Sequence, residues 1–164
     1  YMMTKNNNLK IYGFLSLIFS FYCFYTISLD LIKSLFVISI CASTDIGGYL
    51  FGKVFKGPKL TKISPNKTYS GVAGGYLLSL VCMFIFSIFV DNFKADFLLV
   101  IITILVSTVS QIGDLIISYF KRLSKIKDTG KIIPGHGGIL DRIDGMIFAF
   151  PFAYVVYYLN ILEF

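Results

Sequence analysis

The chain has 164 residues, of which 56% are hydrophobic and only 15% are charged. A soluble domain usually carries about 25% charged residues. This deficit and a mean hydropathy of +0.78 exclude an ordinary soluble domain and indicate an integral membrane protein. The three cysteines, Cys23, Cys41 and Cys82, lie inside apolar runs without metal-binding spacing, so we interpret them as small packing residues.

Five apolar stretches predict the fold, because about 20 residues are needed to cross a membrane as a helix. They predict an all-α, polytopic membrane helical bundle of about five transmembrane helices in a single domain. We expect Pro151 to kink the last helix. The predicted spans are residues 11–29, 34–52, 71–90, 97–120 and 139–162.

Positive charge is concentrated in two of the connecting segments. The loop at residues 53–70 carries five lysines, and residues 121–131 carry five further basic side chains. Two predicted spans separate these segments, so both lie on the same side of the membrane, and the positive-inside rule places them in the cytoplasm. Such loops either only set the topology or also attract anionic headgroups or a nucleotide.

Three acidic residues interrupt apolar sequence at similar depths. Asp45 and Asp114 lie eight and seven residues before the nearest cytoplasmic lysines, and Asp144 lies six residues after Gly138. At about 1.5 Å per residue, all three lie roughly 9–12 Å below the cytoplasmic edge. Ionisable residues at such depth usually face a cavity. We therefore predict one shared, water-accessible cavity.

The helical spacing of the polar residues favours the same cavity. Gln111, Asp114, Ser118, Lys121 and Arg122 fall on one stripe of the fourth span, and Asp141 and Asp144 are three residues apart. Carboxylates without a cysteine or second histidine suit Mg²⁺, and neighbouring basic side chains suit phosphate. This combination is typical of phosphoryl or nucleotidyl transfer. A bland alternative for Asp141 is a favourable interaction with a helix terminus.

A glycine-rich turn precedes the last span, in the polar island that runs from Ser118 to Gly145. Its sequence, Pro134-Gly135-His136-Gly137-Gly138, exposes successive backbone N–H groups that can hold a phosphate. A plain flexible loop explains the glycines equally well. His136, the only histidine, fits either a structural hydrogen bond or a role in the site.

The polar island resembles a family signature. From Ser118 to Asp144 it reads S-x-x-K-R-x4-K-D-x-G-x3-P-G-H-G-G-x-L-D-R-x-D, which is similar to the phosphatidate cytidylyltransferases, or CDP-diacylglycerol synthases. Further matches lie at residues 111–114, at Thr44-Asp45 with Gly47, Tyr49 and Gly52, and at residues 63–71. The resemblance runs from about residue 40 to the end.

This resemblance implies a nucleotidyltransferase of phospholipid biosynthesis that uses Mg²⁺. CTP and phosphatidate would give CDP-diacylglycerol and pyrophosphate. Asp114, Asp141 and Asp144 would hold the metal, and Lys121, Arg122, Lys127 and His136 would act on the phosphates in catalysis. The remaining predicted contacts are to substrate: Asp45, Ser64, Lys67, Thr68, Ser118, Gly135, Gly137, Gly138 and Arg142.

The resemblance also sets expectations about context. Family chains usually carry further amino-terminal spans, so we expect the C-terminal part of a longer chain. We expect it in a bacterial inner membrane among membrane lipids, with the site facing the cytoplasm. A homodimer is compatible with the family, and no nucleic acid partner is expected. Ser70, Gly48 and Gly145 depart from the family's usual acid, alanine and serine, and the change at Ser70 weakens a predicted substrate or metal contact.

Three other functions stay open from the residues. A CTP-dependent transferase or kinase acting on another lipid would carry the same headgroup chemistry. A membrane transporter also uses buried acids and broken helices, although its site usually lies near the midplane. An inactive partner subunit is the third alternative.

Overall fold

The computed structural model of the chain is all-helical in the part that it describes. That part comprises residues 7–61, 64, 67–90, 93, 95–126 and 143–159, with side chains described from residue 11 onward. Its helices are α1 (Asn7–Ser28), α2 (Leu31–Phe55), α3 (Tyr69–Phe89), α4 (Phe97–Leu123) and α5 (Met146–Tyr158). The predicted helical membrane bundle is confirmed.

Helices α1 to α4 are long and apolar enough to cross a membrane. Their outer faces carry exposed apolar side chains such as Phe14, Ile88 and Phe89, which suits contact with lipid tails rather than with water. α5 is apolar but has only 13 residues. In the described part of the last predicted span, Asp144 and Gly145 form a turn before α5, whereas we predicted Asp144 inside the span. Pro151 lies within α5.

Polar side chains cap the N-termini of α2, α3 and α4. Asp30, Thr68 and Asp96 precede α2, α3 and α4, and each side chain accepts a hydrogen bond from the backbone N–H three residues on. Such caps satisfy N–H groups that the helix itself leaves unpaired. These three helices start at or up to three residues before the predicted spans, and α2 and α4 also extend three residues beyond them. α1 starts four residues before its predicted span, and α5 starts seven residues after its own.

The core lies between the helices, and α2 and α3 form its closest pair. Phe36 of α2 packs edge-on against Phe86 of α3, with ring centroids 5.4 Å apart, and also contacts the ring of Phe93. α4 packs against α2, α3 and α5, and α1 packs mainly against α5. Cys23 and Cys41 are buried in this core, as predicted for packing residues.

The basic loop between α2 and α3 folds back on itself. Lys59 pairs with Thr68 in an antiparallel bridge, and the Leu60 N–H donates to the Lys67 carbonyl at 2.8 Å. This return places Lys67 and Thr68 beside the end of α2, at the first turn of α3. The loop therefore brings basic and hydroxyl side chains to the acids of the neighbouring helices.

Candidate active site

A cavity of about 370 Å³ opens between α2, α3, α4 and the turn before α5. It collects residues that are far apart in the sequence, including the three acids that we expected to share one cavity: Asp45, Asp114 and Asp144. Ser64, Lys67, Thr68 and Ser118 line it as well. The described predicted site residues therefore converge, apart from Lys121 and Arg122, which do not line the cavity directly.

Two lysine–aspartate ion pairs define the charge of this cavity. The Lys67 ammonium contacts Oδ2 of Asp114, which joins the basic loop to α4. The Lys121 Nζ lies 3.2 Å from Oδ2 of Asp144, and these side chains are only 13% and 8% exposed. Each described acid at the inner wall thus faces a cation, as burial of a carboxylate requires.

The Asp144 carboxylate accepts two hydrogen bonds. Its Oδ1 accepts the backbone N–H of Gly145 at 3.1 Å while Oδ2 accepts Lys121. Gly145 in turn lies so close to α4 that a Cβ there would meet the Ser110 Oγ at 2.6 Å. The absence of a side chain at Gly145 therefore allows the turn to seat the Asp144 carboxylate against α4.

The rim of the cavity is formed by α2 and the basic loop. Asp45 and Tyr49 are exposed there, and the Lys53 ammonium lies 5.6 Å from the centre of the Tyr49 ring. Thr68 caps α3 through its Oγ1, which accepts the Gly71 N–H at 3.1 Å, and its hydroxyl is also 3.0 Å from that of Ser70. The rim thus offers hydroxyl groups and lysines to an anionic ligand.

Arg122 does not line the cavity, and part of the polar island lies outside the described residues. Arg122 shares the predicted stripe of α4, but it is exposed near the end of the helix. It lies eight residues beyond Asp114, which is about 12 Å along the axis. Seven predicted site residues lie outside the described part of the chain: Lys127, Gly135, His136, Gly137, Gly138, Asp141 and Arg142.

The described donors fit a hard cation such as Mg²⁺. Asp114 and Asp144 supply carboxylate oxygens to one cavity, and each already accepts a lysine ammonium, so the electrostatics of both positions favour positive charge. Within the described ranges, no three His, Cys, Asp or Glu side chains form a metal-binding group. The third predicted ligand, Asp141, lies outside those ranges.

Sequence reasoning missed part of the cavity wall. Thr44 and Gln111 line its inner end, and Gly48, Leu60, Gly71 and Val72 complete the lining. Gln111 had a signal in the sequence, since it is an amide three residues before Asp114 in an otherwise apolar run. It lies on the polar stripe that predicted the cavity, but we assigned it no role in the site.

The resemblance to the phosphatidate cytidylyltransferases implies CTP-dependent turnover, and we expect Lys121→Ala to lower its kcat/KM by about 10- to 100-fold, the effect of losing a charge-assisted hydrogen bond. Asp144 would lose its ammonium partner, and a bound phosphate would lose a neutralising cation. Steady-state kinetics on membranes would measure it. The matched control is Lys125→Ala, which removes an exposed lysine four residues away. Equal kinetics in the two variants would contradict a phosphate role for Lys121.

The chain is similar in sequence to bacterial phosphatidate cytidylyltransferases. A phosphatidate cytidylyltransferase of Staphylococcus saprophyticus is 47% identical over 131 residues, covering 79% of this chain and 50% of the relative. Another from Bacillus subtilis is 46% identical over 113 residues, covering 68% and 42%. The chain therefore spans about half the length of the curated relatives it matches.

A match to a protein family covers nearly the whole chain. The model of the cytidylyltransferase family matches residues 4–160, which is nearly the whole chain. The match contains every helix that bounds the cavity and both lysine–aspartate pairs. The chain belongs to the cytidylyltransferase family.

Proposed function

We propose that this protein transfers a cytidylyl group from CTP to phosphatidate, giving CDP-diacylglycerol and pyrophosphate. The observation that carries the proposal is the cavity in which Asp114 and Asp144 are each paired with a lysine from a different segment. Carboxylates and ammonium groups together suit a reaction between two phosphates. The relatives named as phosphatidate cytidylyltransferases support this choice of substrates.

The proposed reaction is a displacement at the α-phosphorus of CTP. A phosphate oxygen of phosphatidate forms a new bond to that phosphorus, and the bond from it to the β-phosphate bridging oxygen breaks. Pyrophosphate leaves with the electron pair. The attacking phosphate is already ionised, so the chain has no need of a strong general base, and the catalysis rests on positioning and charge stabilisation.

The chain's own residues supply those two effects. Lys67 and Lys121 place ammonium groups beside the acids, where they can neutralise the phosphates of two substrates that would otherwise repel each other. Ser64, Thr68 and Ser118 present hydroxyl groups around the same space. Asp114 and Asp144, together with Asp141, would hold Mg²⁺, which would supply further charge neutralisation at the phosphates.

The proposed setting is a bacterial inner membrane with the cavity open to the cytoplasm. The two basic segments support this orientation, because lysine-rich loops favour the cytoplasmic side. CTP would then reach the cavity from water, and phosphatidate from the surrounding bilayer. A homodimer is compatible with this arrangement and would be tested by the mass of the purified protein in detergent.

The decisive experiment is incorporation of radiolabelled CTP into lipid by membranes containing the protein. We expect labelled CDP-diacylglycerol only when phosphatidate and Mg²⁺ are both present. A parallel reaction with polyprenyl phosphate, using CTP labelled in the cytidylyl group, tests for another lipid transferase. A second with a lipid alcohol, using CTP labelled at the γ-phosphate, tests for a lipid kinase. Incorporation into either of those lipids, but not into phosphatidate, would overturn the proposed substrate.

A further inference from the structure

A small polar cluster lies at the inner end of the cavity, beneath the acids. It consists of Thr44 on α2 with Ser107 and Gln111 on α4, and we call it the polar floor. The Thr44 and Ser107 hydroxyl oxygens are hydrogen-bonded at 2.9 Å, and both residues are almost fully buried. Thr44 and Gln111 also line the cavity. The floor therefore connects the helix packing to the space that a substrate would occupy.

The amide of Gln111 bonds to its own helix and lies close to α3. Its Nε2 donates to the Ser107 Oγ at 3.4 Å. On the α3 side, a Cβ added at Gly75 would lie 3.2 Å from that nitrogen and 3.1 Å from the Thr44 carbonyl oxygen. Glycine at position 75 thus leaves room for the amide.

The hydrogen bonds of Gln111 are only partly used within the chain. Among the described residues, Ser107 is the single hydrogen-bond partner of this amide. A carboxamide has two N–H donors and one acceptor, and the half-buried Gln111 lines the cavity, so its remaining positions are open to water or to a ligand. The remaining N–H and the carbonyl oxygen are therefore suited to a polar group of a ligand in the cavity.

Depth identifies which part of a ligand meets this amide. Gln111 precedes Asp114 by three residues on α4, so it lies about 4.5 Å closer to the membrane interior. In a glycerol lipid whose phosphate is at the level of the acids, the first ester carbonyl follows after a few covalent bonds, roughly 4–6 Å away. An ester carbonyl accepts hydrogen bonds, whereas the alkyl chain of an ether or prenyl lipid at that depth does not.

We propose that Gln111, oriented by Ser107 and Thr44, donates a hydrogen bond to an ester carbonyl of the lipid substrate and so selects diacyl phosphates. This inference rests on the proposed function and assigns to Gln111 a role in substrate specificity. Ether-linked and prenyl phosphates would keep the phosphate contacts but leave the amide without its partner. Nucleotide binding, at the level of the acids and lysines, would not involve it.

The test compares Gln111→Met with the unaltered protein on two lipids of equal chain length, diacyl phosphatidate and its dialkyl ether analogue. We expect the unaltered protein to prefer the ester lipid by about 3- to 10-fold in kcat/KM, the effect of one hydrogen bond. Gln111→Met should lose this preference through slower use of the ester lipid, without a matching loss on the ether lipid. The ratio of the two lipids in one preparation does not depend on the folded fraction.

The outcomes separate this inference from the proposed function. Equal use of both lipids by the unaltered protein, or a preference that survives in Gln111→Met, overturns the role of Gln111 but leaves the cytidylyltransferase activity standing. Equal loss with both lipids in Gln111→Met also overturns it, because the amide would then act on the fold or on the shared chemistry. No CTP incorporation by the unaltered protein with either lipid overturns the proposed function and this inference with it.

Discussion

Asp144→Asn should reduce CTP incorporation by about 1,000-fold, to the background of membranes that lack the protein, while the protein still inserts and folds. The substitution keeps the size of the side chain but removes the charge that Lys121 contacts at 3.2 Å. It also removes a carboxylate from the proposed metal-binding set. Losing one preorganised charged group in a water-poor site commonly costs two to three orders of magnitude, roughly 3–4 kcal/mol.

The control for this variant is Asp96→Asn at the other end of α4. Asp96 caps the helix by accepting the Leu99 N–H at 2.8 Å, and asparagine caps about equally well. We therefore expect nearly unchanged turnover from the control. Folding of both variants can be followed by the reactivity of the buried thiols of Cys23 and Cys41. Normal turnover by folded Asp144→Asn would contradict a role for this carboxylate in the reaction.

Much of the cavity could be predicted from helical geometry alone. Depth counted along the spans placed Asp45, Asp114 and Asp144 near one level, and the structure brings all three to one cavity. The stripe through Gln111, Asp114 and Ser118 likewise faces that space. For Asp45, Asp114 and the stripe these inferences succeed because a membrane helix has a fixed rise and period, so that depth and direction follow directly from residue number. Asp144 reaches the cavity from a turn instead of from a helix.

The contacts between distant segments could not be predicted in this way. The Lys67–Asp114 pair depends on the backward turn of the basic loop. The spacing of polar residues along one helix predicts neither this turn nor the helix that the loop contacts. The role of Arg122 stays a prediction. Its angular position on α4 matches the stripe, but it is exposed in the last turn and does not line the cavity.

The polar floor shows a third limit of sequence reasoning. Thr44 and Ser107 are small hydroxyl residues in apolar spans, where such residues often only bond to their own helix. The Thr44 hydroxyl indeed donates a hydrogen bond to the Ile40 carbonyl oxygen at 2.8 Å. Its second contact, to Ser107, depends on the crossing of α2 and α4, which a single sequence does not specify.

Gly47→Ala should destabilise the helix pair that supports the cavity wall, by about 1–3 kcal/mol. Gly47 of α2 and Gly74 of α3 bring the two backbones into direct contact. A Cβ at Gly47 would meet the Gly74 carbonyl carbon at 2.8 Å and the Leu78 Cβ at 3.0 Å. Because the obstruction is backbone rather than a flexible side chain, α2 and α3 would have to move apart.

Gly48→Ala is the matched control, one residue further along the same helix. A Cβ at Gly48 would meet only the Gly71 carbonyl oxygen, at an ordinary 3.8 Å, and alanine favours the helix by up to about 1 kcal/mol over glycine. Thermal unfolding in detergent, followed by a thiol-reactive dye, should therefore give a lower midpoint for Gly47→Ala and an equal or higher one for Gly48→Ala. Equal midpoints would mean that the backbone contact at Gly47 has no cost, because both substitutions gain the same helix propensity. In that case the α2–α3 pair would not need its close approach to hold Thr44 and Asp45 opposite α4.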